Sequence, residues 1–379
     1  MTHPVSTHED SFLMDTSLSL DQRVALVTQN LEEVIGAEEL PALLSQPFRV
    51  QHYIGLEISG RLHLGTALVC MHKIRDLQKA GVHCRIFLAD WHTWINDKLG
   101  GDREKIKRVA NDYFKVGLKA SLKAVGGDAD ALEFVLGSDL YREHGQYWET
   151  LIDVAKNTTL NRIERSISIM GRKEGESLDF AKLIYPPMQV ADIFALQAHI
   201  AHGGLDQRKA HVIARDVASY MRISPLKNAA GEVIKPVIVH HHMLLGLEKP
   251  KQWPIDPERI REVRTEMKMS KSRPDSAVFV NDTPDQIRAK IRKAFCPPGE
   301  VNFNPVLDWA EHLLFQNGRK LHMTRTPENG GNLTFSSFAE LREAYQGGLH
   351  PMDLKAAVSE ALIEILEPIR LEIGESDVN

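Results

Sequence analysis

The stretch FRVQHYIGLEISGRLHLGTALVCMHKIRDLQKAG (48–81) decides the reading of this chain. Its first ten residues, 48–57, read as a buried strand. Residues 64–81 carry apolar side chains at three- and four-residue spacing, which predicts an amphipathic helix with Gly81 as its stop. Between them, SGRLHLG (59–65) packs two glycines and a histidine into the turn where strand gives way to helix. Glycines let a backbone approach a ring or a phosphate closely, and a helix N-terminus favours anionic groups. A histidine there can donate to a phosphate oxygen. A plain strand–helix turn with a surface histidine fits the same residues, so the stretch needs a partner elsewhere.

The alternation continues outward. HCRIFLAD (83–90) and LEFVLGSD (132–139) read as strands, with the helical DREKIKRVANDYFKVGLKAS between them. KPVIVHHHMLLGL (235–247) contains another strand. Strands alternating with helices imply a parallel sheet wrapped by helices, an α/β Rossmann-like fold. The segment 20–46 reads as helices, 141–184 as a mostly helical insertion, and 248–266 as a Pro- and charge-rich surface connector. From 281 the pattern turns helical. The expected division is a nucleotide-binding domain over 1–280, including a loop region at 248–280, and a mostly α-helical domain over 281–379.

Composition bounds the possibilities. The 379 residues are 43% hydrophobic and 26% charged, with a formal net charge of −5, ordinary for a soluble protein of two or three domains. The net charge argues against a whole-surface polyanion binder but leaves room for a local basic patch. No apolar run approaches a membrane span, and the N-terminus lacks the order of a secretory signal, so a cytoplasmic protein without membrane association is expected. Cys70, Cys84 and Cys296 are too far apart for a zinc pattern and read as free thiols.

The partner of the glycine turn is KMSKS (268–272). A mobile loop of this kind can set two ammonium groups on a triphosphate as charge builds on leaving pyrophosphate. An isolated lysine-rich run is more often a solvated turn. The two stretches in this order, separated by one alternating domain, are harder to obtain by chance.

His63-Leu64-Gly65-Thr66 resembles the HIGH signature, and Lys268 to Ser272 the KMSKS signature, of class I aminoacyl-tRNA synthetases. The segments YIGLEISGRLHLG, FLADWHTWIND, IYPPMQVADI, GGLDQRKAH, IRAKIRKAFCPPG and LHPMDLKAAVSEALIEILEPIR are similar to tyrosyl-tRNA synthetases of the archaeal and eukaryotic type, over about residues 50–370. The resemblance implies an ATP-dependent ligase that joins L-tyrosine to tRNA(Tyr) through a tyrosyl-adenylate. Mg²⁺ would accompany the ATP, with no metal site on the protein. It assigns the tyrosine hydroxyl to Tyr53 and Asp192, and the α-amino group to Tyr185, Gln189 and Gln207. Gly55, Glu57 and His92 lie beside the amino-acid pocket in this reading. On the ATP side it implies Gly60, His63, Gly65, Asp206, Lys268, Met269, Ser270, Lys271 and Ser272, of which His63, Lys268 and Lys271 stabilise the reacting phosphates. Gly203 and Gly204 give the nearby backbone room. Tyr185, Gln189 and Asp192 share one face if their segment is helical.

For tRNA, LHPMDLK (349–355) resembles the segment that reads the first anticodon base, with Asp353 accepting from the base and His350 beside it. Asp353 also suits a helix N-cap. Arg288, Lys290, Arg292 and Lys293 form a basic cluster suited to phosphates. The resemblance further implies a homodimer, with 141–184 at its interface. Thr66 departs from the second histidine of the signature. Phe87, Leu140, Tyr141 and Asn329 also stand where relatives carry other residues, on the pocket wall and at the anticodon. The alternatives are the same chemistry with tryptophan, a paralogue without turnover, and a small-molecule adenylyltransferase. The last leaves LHPMDLK without a purpose.

Overall fold

Five parallel strands and one antiparallel edge strand make the central sheet of this computed structural model, which describes residues 17–171, 179–270 and 273–374. In chain order they are β1 (Leu31–Ile35), β2 (His52–Leu56), β3 (Arg85–Leu88), β4 (Glu133–Leu136), β5 (Ile200–Gly204) and β6 (Val237–His241). Their spatial order is β1-β6-β5-β2-β3-β4, with β1 antiparallel to β6. The chain winds one way from β2 through β3 to β4, then returns to β5 on the other side of β2. That reversal opens a crevice at the carboxyl ends of β2 and β5.

Successive side chains of a strand point to opposite faces of the sheet, and both faces are covered, so β5 is buried at every position. Ile54 joins the larger apolar cluster with Leu62, Ile74, Leu118, Trp309 and Ile373, while neighbouring Tyr53 joins Phe87, Tyr147, Met188 and Ile193 in the other. The turn after β2 leads through a wide helical turn, Gly65–Val69, into the helix Cys70–Lys79, which ends before Gly81 at φ +81°. Gly117 lets the long C-terminal helix Pro351–Ile373 pack closely on Lys115–Ala124, because a Cβ there would sit 2.7 Å from Leu62 and 3.1 Å from Ile373.

Three expectations need correction. The segment 20–46 is not all helix. Leu20–Thr28 ends at Asn30, which takes φ +55°, and Leu31–Ile35 pairs with the open edge of β6. A sheet edge outweighed local helical spacing there. The connector is not all loop, since Ile260–Glu266 is a helix that follows a short turn at Pro257–Arg259. The C-terminal part, expected to be helical, also holds a two-stranded antiparallel sheet of β7 (Leu321–Met323) and β8 (Leu333–Phe335). The strands expected at 48–57, 83–90, 132–139 and within 235–247 are present but shorter, and the third stops at Leu136, where the helix Gly137–Glu143 begins.

The basic cluster is largely tied down. Arg288 binds Glu360 at 2.7 Å, and Lys290 binds Asp282 at 2.6 Å and the Ala277 carbonyl, leaving Arg292 and Lys293 exposed. The three cysteines are buried and free. Among the described residues no helix is long and apolar enough to cross a membrane.

Candidate active site

A cavity of about 330 Å³ opens at the reversal point of the sheet. Its wall brings together Tyr53, Gly55, Glu57, His63, Gly65, His92, Tyr185, Gln189, Asp206, Gln207, Lys268 and Met269. Gly203 and Gly204 line it at the end of β5. Gly60 and Ser270 lie outside this wall, Gly60 shaping the turn at φ +89°. Lys271 and Ser272 fall outside the described residues.

One end is closed and aromatic. Tyr53, Phe87, Tyr141 and Tyr147 are all buried and gather around Asp192, which is fully buried one layer behind the wall. The Tyr147 hydroxyl donates to Asp192 Oδ1 at 2.8 Å. Asp192 Oδ2 has no hydrogen-bond partner, nor has Nε2 of His92, and the two atoms lie 3.7 Å apart. Burial pushes the Asp192 carboxyl well above its ordinary value, although the hydroxyls of Tyr147 and Tyr141 pull it down. Burial also holds His92 neutral, lowered to about 3. Tyr53 leans along β2 over Gly55, so a Cβ at Gly55 would sit 2.5 Å from its hydroxyl.

The helix Phe180–Ala195 does put Tyr185, Gln189 and Asp192 on its buried side. Tyr185 donates to Glu57 Oε1 at 2.9 Å, and Gln189 donates to Gln207 Oε1 at 3.1 Å. Gln207 in turn donates to the Ile169 carbonyl. Glu57 therefore organises this region as an acceptor, and it also receives Asn96 Nδ2 at 2.9 Å.

At the other end two chain segments cross. Leu62, His63 and Leu64 pair with Val278–Val280, the residues that follow the lysine loop, through a bridge between His63 and Phe279. Leu244–Gly246 pair with Met267–Met269 on the loop's leading side. The lysine loop is thus pinned on both flanks to the strand–helix turn and to the end of β6. His63 Nδ1 accepts from the Thr66 amide at 3.3 Å, which places a ring proton on Nε2. Gly65 has the room this needs, since a Cβ would sit 3.0 Å from the His63 ring. Lys268 Nζ lies 2.7 Å from Asp206 Oδ2. Burial alone would raise the Asp206 carboxyl, but Lys268 outweighs it and holds the value below the ordinary one.

Some residues of the site were not singled out from sequence. Asn96 falls four residues after His92 inside FLADWHTWIND, a spacing that could have marked it. Tyr147 and the Ile169 carbonyl carry no local signal. His241 ends β6 on the cavity wall, its place concealed within a run of three histidines.

His350 and Asp353 lie far along the chain at the start of Pro351–Ile373. The N-cap is His350, whose Nδ1 accepts from the Met352 amide, and not Asp353, which sits in the first turn. Asp353 Oδ2 lies 3.0 Å from Arg325 Nε as an ion pair, without hydrogen-bond alignment at that nitrogen. Asn329 is exposed in the turn between β7 and β8. Among the described residues one group has metal-ligand proximity, His242 with Asp308 and His312, and its His242 shares the cavity wall with Lys268. Both nitrogens of His242 face carboxylates there, Glu32 and Asp308, which describes a charged imidazolium and not a metal ligand.

A nucleotide-type sheet whose cavity joins an aromatic amino-acid-sized end to a lysine-bearing loop matches one family model, the class I tRNA synthetases for W and Y, over residues 46–367. The chain belongs to that family. It is 55% identical over 357 residues to the tyrosine–tRNA ligase of Pyrococcus abyssi, covering 93% of this chain and 95% of that one. The ligase of Thermococcus sibiricus is 54% identical with the same coverage. Among solved structures, the tyrosyl-tRNA synthetase from Pyrococcus horikoshii complexed with L-tyrosine superposes with a TM-score of 0.90 at 53% identity, over 93% of this chain and 96% of that one.

Proposed function

We propose that this protein is a tyrosine–tRNA ligase that activates L-tyrosine with ATP and transfers it to tRNA(Tyr). The observation that carries the choice of amino acid is the pair of unpartnered buried atoms at the aromatic end, Asp192 Oδ2 and His92 Nε2. A phenol hydroxyl is donor and acceptor at once and can satisfy a carboxylate oxygen and an imidazole N–H together. Phenylalanine satisfies neither, and an indole N–H only donates. Leaving such groups unpaired costs about 1–3 kcal/mol each.

The other handles of the substrate have counterparts. Tyr185, Gln189 and Gln207 surround the place for the ammonium, with Glu57 behind Tyr185. The tyrosine carboxylate then attacks the α-phosphorus of ATP in line, and pyrophosphate leaves. His63 Nε2–H and the ammonium groups of Lys268 and Lys271 take up the charge on the phosphates, with Met269, Ser270 and Ser272 as the other ATP-binding residues of the motif. Catalysis here is positioning and electrostatics, and no enzyme nucleophile takes part. Mg²⁺ enters as part of the ATP substrate. A terminal ribose hydroxyl of the tRNA next displaces AMP from the tyrosyl-adenylate.

In this reading residues 1–280 hold the chemistry and 281–379 approach the anticodon through His350 and Asp353. The region 141–184 serves as a homodimer interface, a role supported by its exposed Trp148, Ile152, Leu160 and Phe180. The work belongs in the cytoplasm, where tRNA is charged.

The test is ATP–pyrophosphate exchange with tyrosine, phenylalanine or tryptophan supplied singly. Exchange with tyrosine alone is expected. Exchange driven by tryptophan, or silence with all three even after adding tRNA, overturns the reading.

A further inference from the structure

Three histidines on adjacent strands form a line that ends in the cavity. His52 on β2, His202 on β5 and His241 on β6 lie on one face of the sheet. His52 Nε2 lies 3.1 Å from His202 Nδ1, and His202 Nε2 lies 3.0 Å from His241 Nδ1. His52 and His202 are buried, whereas His241 is only partly covered and lines the cavity. Burial keeps the rings neutral, with His52 lowered to about 3 and His241 to about 4, so each carries one proton.

Such a line can run in only two directions. Either all three rings carry the proton on Nδ1, or all three carry it on Nε2. The far end decides between them, because His52 Nδ1 is buried with no partner. A proton on that atom would bury an orphaned N–H, which folded proteins avoid more strictly than an under-used acceptor. The line therefore donates outward, from His52 to His202 to His241, and His241 presents Nε2–H at the cavity. Cys70 Sγ, 3.8 Å away, is a weak acceptor that leaves this donor available.

Its surroundings identify the ligand group. Gly204 is the register partner of His241, and a Cβ there would lie 2.8 Å from Asp206 Oδ1 and 3.5 Å from His241 Nε2. A carboxylate acceptor and an imidazole donor thus flank one bare glycine at the nucleotide end. A vicinal diol, in which each hydroxyl both donates and accepts, fits that pair.

We infer that His241 is a nucleotide-binding residue that donates Nε2–H to a ribose hydroxyl oxygen of ATP, with His52 and His202 as positioning residues that set its tautomer. The inference rests on the ATP-dependent function proposed above and adds a specificity for the sugar.

The experiment compares ATP with 2′-deoxy-ATP and 3′-deoxy-ATP in tyrosine-dependent pyrophosphate exchange, using the full chain and its His241→Phe variant. One hydrogen bond of this kind corresponds to a change of about five- to tenfold. In the unsubstituted protein, kcat/KM is expected to drop by about that factor or more with at least one deoxy analogue. His241→Phe should raise KM for ATP by a similar factor, keep KM for tyrosine within about twofold, and lose the preference for that hydroxyl. His241→Gln, which retains an N–H, should recover part of it. A variant that keeps the full preference, or an unsubstituted protein that has none, overturns the inference. Should His241→Phe fail to fold, nitrogen-15 histidine spectra of the unsubstituted protein decide: a proton on Nδ1 of His241 overturns the proposal, and one on Nε2 that shifts on adding ATP supports it. Absence of ATP-dependent exchange in the unsubstituted protein would be a different failure, that of the function itself.

Discussion

At the amino-acid end of the cavity Tyr53, Phe87, Tyr147 and Asp192 are almost wholly removed from solvent, whereas at the nucleotide end the side chains of Lys268 and Asp206 keep 36% and 29% of their exposure. The first end is held by packed rings on β2, β3 and two helices. The second is held by backbone pairing between the strand–helix turn and the flanks of a loop. The difference follows from the two tasks. Selecting a phenol over a benzyl group needs polar atoms that water cannot reach, because only then does the wrong substrate leave a cost. Accepting a triphosphate needs charges that can exchange partners, and the Lys268–Asp206 pair, only half-buried, stays within reach of water and of an incoming phosphate.

The separation of the two ends shows most strongly at the loop. Lys268→Ala should lower kcat for tyrosine-dependent exchange by about 10²–10³-fold, with KM for tyrosine within about twofold. An equal loss in KM for tyrosine would show that the two ends are not separate. Asp192→Ala should do the reverse, narrowing the preference for tyrosine over phenylalanine by at least about tenfold in kcat/KM. Unchanged selectivity would remove Asp192 from the hydroxyl site.

Asp353→Ala reaches neither end. Charging of tRNA should fall by about tenfold, while exchange without tRNA stays as it was. A parallel drop in exchange would instead give the Arg325–Asp353 pair a structural role. Gly55→Ala should raise KM for tyrosine about fivefold, since the new methyl displaces the Tyr53 hydroxyl, and should leave KM for ATP little changed.

The smallest effect expected is on pH dependence. His242, next to neutral His241, is raised to about 9: burial works against its charge, but Asp308 and Glu32 outweigh it. A raised folded value means that stabilisation is complete below the ordinary 6.5 and is lost as pH climbs through about 9. Thermal unfolding should therefore occur about 2–4 °C lower at pH 9.5 than at pH 6.5, and His242→Asn should flatten that slope. An identical slope in the variant would assign the effect to another group.

Much of the site was legible in the chain because its parts are local. SGRLHLG, KMSKS and YPPMQVAD each hold their residues within a few positions of one another, and helical spacing alone put Tyr185, Gln189 and Asp192 on one side. Tyr147 escaped notice because its link to Asp192 spans 45 residues and depends on how two helices pack. Strand β1 escaped because the edge of β6 that recruits it lies far downstream.

The histidine run His240-His241-His242 marks the boundary between the two kinds of knowledge. From sequence alone come the alternating fold, the glycine turn and the lysine loop, since backbone freedom, periodicity and charge are properties of short segments. Only the tertiary structure decides that His241 stays neutral in a line of imidazoles while His242 is charged between Glu32 and Asp308. A side chain's proton depends on which groups surround it after folding, and those groups are brought from distant parts of the chain.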